Sequence, residues 1–165
     1  MKEVLDRKIV LFYRAFEDIE SASVIVASSP NGSVYHSCQA VEKVMKGYLR
    51  CLDDDGTDEY DHNLDGLLAK IKKNCGLSED TVYNIRYLNE YTQALRYKSM
   101  KSDPTVEDAA LALKRAREIV LEFSENKVCA WDMQVARDIH EKYLKWVASE
   151  YGDKDLDILS LNKET

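Results

Sequence analysis

Between Val34 and Leu52 the chain reads VYHSCQAVEKVMKGYLRCL. Val34, Cys38, Val41, Met45, Tyr48 and Leu52 recur at alternating four- and three-residue intervals. Such spacing sets all six on one stripe of a helix. A quarter turn away stand Gln39, Glu42, Lys43 and Lys46. One face is therefore apolar, and the face beside it carries an amide, a carboxylate and two ammonium groups. Gln39 with Lys43, and Glu42 with Lys46, are i,i+4 pairs, worth about 0.2–0.5 kcal/mol each on an exposed helix. Taken alone, the polar face reads as a solvated lattice of such pairs.

The neighbouring segments repeat the helical period. Leu5, Ile9, Phe12, Phe16, Ile19, Ser23 and Val26 predict an amphipathic helix over about 3–27. The turn formers of residues 28–33, SSPNGS, end it. After the central helix, residues 53–61 hold six acids in nine positions without period, which predicts an exposed loop. That run lacks the calcium-loop pattern. A short helix follows from His62 to about Asn74, with Leu64, Leu67, Leu68 and Ile71 on its apolar face. Asp61 and Asn63 compete as its cap, and Gly76 suits its end.

Ser78-Glu79-Asp80 predicts the cap and acidic first turn of a helix reaching about Arg96. Ile85, Leu88 and Leu95 face its core, while Tyr83, Tyr87 and Tyr91 form a second stripe. Tyrosines so spaced read as packing or as a surface for stacking a base. Pro104 suits the first turn of the next helix, and Thr105 with Asp108 predicts a capping box. Val106, Ala109, Leu113, Ala116, Val120 and Phe123 supply that helix's core face. A last helix, about 128–150, places Trp131, Val135, Ile139 and Trp146 on a face that must bury itself on the bundle or a second chain. Gly152 closes it, and residues 152–165 read as a frayed tail.

No segment alternates like a strand. The prediction is an all-α antiparallel up-and-down bundle of four to five helices, residues 1–125, with an additional C-terminal helix over 126–151. A length of 165 residues fits one domain. Thirty acids against 23 bases, a formal charge of −7, argue against a coat for duplex DNA. Four cysteines without a C-x-x-C pair predict reduced thiols in a cytoplasmic protein, without a metal. No apolar run approaches the ~20 residues of a membrane span.

The central helix resembles the HEPN family in its wording, Gln39-Ala40-Val41-Glu42-Lys43-Val44-Met45-Lys46, then Gly47-Tyr48-Leu49. The resemblance continues through His62-Asn63-Leu64 with Leu67-Leu68, through Arg96-Tyr97, and through Thr105-Val106-Glu107-Asp108-Ala109. It spans about residues 5–125 and implies a helical module that commonly pairs into homodimers. Where such modules are catalytic they cleave RNA without a metal. They use an arginine followed four to six residues later by a histidine, for phosphate charge and proton transfer. Here His62 follows Arg50 by twelve residues and His140 follows Arg137 by three, while Arg96 is followed by no histidine at that spacing. The resemblance thus implies a non-catalytic nucleotide- or RNA-binding module, without a cofactor, lined by Gln39, Lys43, Lys46, His62, Arg96 and Tyr97. It also implies a small nucleotidyltransferase as partner, in a toxin–antitoxin or defence system. The alternatives are a ribonuclease with a displaced catalytic set and a plain helical interaction module. His62 reads either as a structural histidine or as a site residue. Arg96 reads either as a buried partner of Glu42 or as an exposed phosphate ligand.

Overall fold

A computed structural model describes residues 6–52, 62–73, 75–97 and 103–151, with only the backbone for 93–97 and 151. It contains α1 (Arg7–Ile25), α2 (Pro30–Leu52), α3 (Leu64–Ile71), α4 (Glu79–Tyr97), α5 (Val106–Glu125) and α6 (Ala130–Tyr151). Among the described residues there is no strand, and no helix long and apolar enough to cross a membrane. The acidic run at 53–61, Lys98, Lys101 and the tail at 152–165 lie outside the described residues.

The helices begin where their caps dictate. Asn63 accepts from the Asp65 amide, which makes it, and not Asp61, the cap of α3. Ser78 Oγ accepts from the Thr81 amide at 3.1 Å. The Glu122 carboxylate of α5 accepts in turn from the Ser78 amide, the Ser78 hydroxyl and the Thr81 hydroxyl. Burial would raise the Glu122 carboxyl, but these hydrogen bonds outweigh it and hold it below its ordinary value. Thr105 and Asp108 form the reciprocal capping box that opens α5.

Two boundaries differ from the sequence reading. First, α2 begins at Pro30, so Asn31, Gly32 and Ser33 are helical and not a turn. Proline fits a first turn because its missing N–H is unused there. Ser33 Oγ then donates to the Ala22 carbonyl at 2.8 Å, satisfying an orphan acceptor near the end of α1. Second, α3 stops at Ile71, short of Asn74 and Gly76.

Helix α2 is the hub, packing on α1, α3, α4 and α5, while α6 packs mainly on α1. Of the predicted stripe, Val34, Cys38, Val41, Met45 and Tyr48 are buried, among Phe12, Leu64, Leu67, Ile71, Ile85, Leu88, Ile119 and Phe123, while Leu52 at the helix end is exposed. Tyr48 meets Phe123 edge-on at 5.4 Å. The stripe of α6 that enters the core is Met133, Ala136 and His140. The tryptophan face does not: Trp131 is 73% exposed and Trp146 is 52% exposed. The reason is shape. Small Ala136 lets the backbones approach, whereas an indole in that place would hold α6 away from α1. Val135 and Ile139, between the tryptophans on the expected face, are half-buried.

At Gly47 the Phe12 side chain of α1 lies directly against the backbone of α2. A Cβ built there would lie 2.5 Å from Phe12 Cε1. Gly47→Ala should therefore destabilise the protein by about 1–3 kcal/mol through overpacking. That outweighs the ~1 kcal/mol alanine gains over glycine inside a helix. Urea unfolding followed by circular dichroism measures it, and adding Phe12→Leu should recover part of the loss.

Candidate functional site

Two buried carboxylates organise the polar groups of α2. The first is Glu42, 4% exposed and on α2 itself. Its Oε1 accepts from Lys46 Nζ at 2.9 Å and from His62 Nδ1 at 2.8 Å. Its Oε2 is 3.4 Å from Gln39 Nε2, which donates to it. Lys46 lies one helical turn past Glu42, so its short reach to Oε1 follows from the i,i+4 geometry. His62 arrives from outside the helix, at the entry to α3. Asn89 of α4 holds that entry: its Oδ1 accepts from the Leu64 amide at 3.0 Å, and its Nδ2 donates to Asp65 at 2.9 Å.

Burial alone would raise the Glu42 carboxyl. The hydrogen bonds from Lys46 and His62 outweigh burial and hold it below its ordinary 4.5. An ionised carboxylate can only accept, so the imidazole proton sits on Nδ1. The Nε2 edge of His62 is then an acceptor in the neutral ring and a donor in the imidazolium. Half of the His62 side chain, 50%, is exposed. A histidine steered through one nitrogen by a buried carboxylate, with its other edge near solvent, can take a proton or bind an oxyanion.

The second carboxylate is Asp18 of α1, which sequence reasoning missed. It is buried, with Ala15 and Ala22 on the same stripe of α1. Asp18 Oδ1 accepts from His36 Nδ1 at 2.8 Å, and Oδ2 accepts from Lys43 Nζ. His36 and Lys43 are seven residues apart, hence two turns apart on one side of α2. The signal was a charged residue at a position whose helical neighbours are both alanine. Its meaning depended on which helix would pack there.

The predicted site residues therefore divide. Gln39, Lys46 and His62 converge on Glu42. Lys43 pairs instead with Asp18, to which His36 also donates. Arg96 and Tyr97 form the last turn of α4, and their side chains lie outside the described residues. Arg50, one turn beyond Lys46 and also buried, was not anticipated as part of this polar interior. Among the described residues, no group of three or more His, Cys, Asp or Glu side chains is placed to hold a metal ion.

The family model of the HEPN domain matches residues 10–127, from within α1 through α5, and stops before α6. No curated protein and no solved structure matches the chain.

Removing the charge of Glu42 tests the first cluster. Glu42→Gln withdraws a carboxylate from the Lys46 ammonium and the His62 ring and should cost about 3–5 kcal/mol at neutral pH. The sign with pH follows from linkage. A carboxyl held low in the fold contributes fully above its unfolded value, and that contribution is lost as pH falls through the lower folded value. The gap between wild type and Glu42→Gln should be widest near neutrality and should narrow as pH falls below 4.5. Urea midpoints across a pH series measure this, and a gap independent of pH would contradict the assignment.

Proposed function

Because the chain belongs to the HEPN domain family, matched over residues 10–127, we propose that it is a non-catalytic module that binds a nucleotide or RNA phosphate at the Glu42 cluster. The observation that carries this reading is the steered, half-exposed His62. With His62 protonated, Glu42, Lys46 and His62 together hold one surplus positive charge. A phosphate oxygen can accept from Nε2–H while Glu42 keeps Nδ1 occupied. Gln39 adds an amide beside the same carboxylate. Arg96 and Tyr97 belong to the proposed site through the family wording, and the guanidinium of Arg96 is the second phosphate ligand. Lys43 belongs to it as a flanking cation that leaves Asp18 when an anion is bound.

By the same reading the protein works in the cytoplasm as a homodimer beside a small nucleotidyltransferase, in a toxin–antitoxin or defence system. What supports this part is the family membership alone.

A second reading has one observation in its favour. Glu42 fixes the His62 tautomer as a general base requires, so His62 could abstract a 2′-hydroxyl proton in metal-independent RNA cleavage. The chain still lacks the arginine and histidine at the family's spacing.

Both readings meet in one pair of measurements. Calorimetry with mononucleotides and short single-stranded RNA should show binding that His62→Ala weakens about tenfold, the loss of one charge-assisted hydrogen bond of about 1.5 kcal/mol. His62 suits the test because it is exposed enough to remove without opening the core. RNA incubated with wild type under chelator should stay intact; cleavage that His62→Ala abolishes would make the protein a ribonuclease. No binding to any of these ligands would leave a helical interaction module.

A further inference from the structure

Helix α6 lies beyond the matched family region and turns the stripe of Met133, Ala136 and His140 into the bundle. The side turned away carries Trp131, Val135, Asp138, Lys142 and Trp146 at helical intervals. Both tryptophans of the chain therefore stand on it. The Tyr143 ring, 46% exposed, lies 6.0 Å from that of Trp146. Folded surfaces usually cover most of such rings, and a run of them in solvent marks an interface.

Between the indoles stand an acid and a base that do not pair with each other. Asp138 accepts one hydrogen bond, from the neutral Gln134 amide at 2.8 Å. Neither Asp138 nor Lys142 has an ion pair among the described residues. Each is an exposed charge in an apolar stripe, and each lacks an opposite charge from its own chain.

The stripe is its own complement. Let α6 of a second copy lie antiparallel to it, related by a twofold axis at the level of residue 140. Asp138 and Lys142 are equally far from that level, so each Asp138 comes opposite the other copy's Lys142. The same register seats each Trp146 between the other copy's Trp131 and Val135. Parallel pairing would instead set acid against acid and base against base, an arrangement that disfavours association. The 22 residues of α6 make a helix about 33 Å long. At their observed exposure the three rings offer roughly 300 Å² per copy, against about 800 Å² per partner in a stable complex. The Lys142 stem and the half-buried Val135 and Ile139 enlarge the patch. An interface at the small end of the stable range gives a dimer that dissociates on dilution.

We propose that the Trp131–Trp146 stripe of α6 joins two copies of this chain, antiparallel about a twofold axis, with Asp138 of each paired to Lys142 of the other. The proposal deepens the homodimer part of the reading above by giving it a surface, and it rests on that part. Nucleotide binding does not enter it.

Sedimentation equilibrium of the full chain, in a dilution series starting at about 100 µM, tests it. The wild type should dimerise. Trp131→Ala and Asp138→Lys should each weaken association about tenfold or more. Both side chains are exposed, so circular dichroism should show these variants folded. Adding Lys142→Asp to Asp138→Lys exchanges the two charges and should restore the dimer. Parallel pairing would gain nothing from that exchange, because like charges would still be opposed. His62→Ala, which tests the nucleotide site, should leave the dimer unchanged. A wild-type dimer indifferent to Trp131→Ala or to Asp138→Lys would overturn this interface and leave the homodimer reading standing through another face. A monomer at every concentration would overturn both and leave the stripe to a different polypeptide. A double exchange as weak as Asp138→Lys alone would overturn the antiparallel pairing.

Discussion

A carboxylate with almost no exposed surface must be answered by cations or by hydrogen-bond donors, because burying it alone costs far more than a domain's whole stability margin. Glu42 imposes that constraint here. Lys46 answers it from the same helix and His62 from the entry to α3. The Asn89 clamp holds that entry in place. The family motif, the position of α3 and the tautomer of His62 are therefore one arrangement seen at three levels.

Asp18 repeats the construction on the other flank of α2. One lysine and one histidine again share a buried carboxylate, and again the histidine binds through Nδ1. The two clusters do different structural work. Glu42 ties α2 to α3, while Asp18 ties α2 to α1, the pair in which Gly47 lets Phe12 sit against the α2 backbone. Buried ion pairs of this kind add little net stability over apolar packing. A helix displaced by one turn would leave a buried charge unanswered.

Helix α6 is held to α1 by different means. Met133, Ala136 and His140 enter the interface, Arg137 lies over the Phe16 ring at 5.3 Å, and Lys8 pairs with Asp132 at 3.5 Å. This leaves Trp131 and Trp146 outward and encloses beside α1 a pocket that the family-matched helices alone do not complete.

The amino-acid sequence by itself determined the helices and several of their ends. Periodicity marked the buried stripe of α2, and short-range capping chemistry marked Ser78 and the Thr105–Asp108 box, because such bonds span only three residues. The wording of α2 also carried the family. Tertiary structure decided what spacing cannot: which neighbour each charged side chain chooses. Lys43 is within reach of Gln39 by helical geometry, yet a buried carboxylate from α1 outcompetes an amide for an ammonium. The α6 face was likewise undecidable from pattern, since both tryptophans and the Met133–Ala136–His140 stripe recur at helical intervals. Close approach to α1 selected the smaller residues, a choice made by a surface that exists only once the chain has folded.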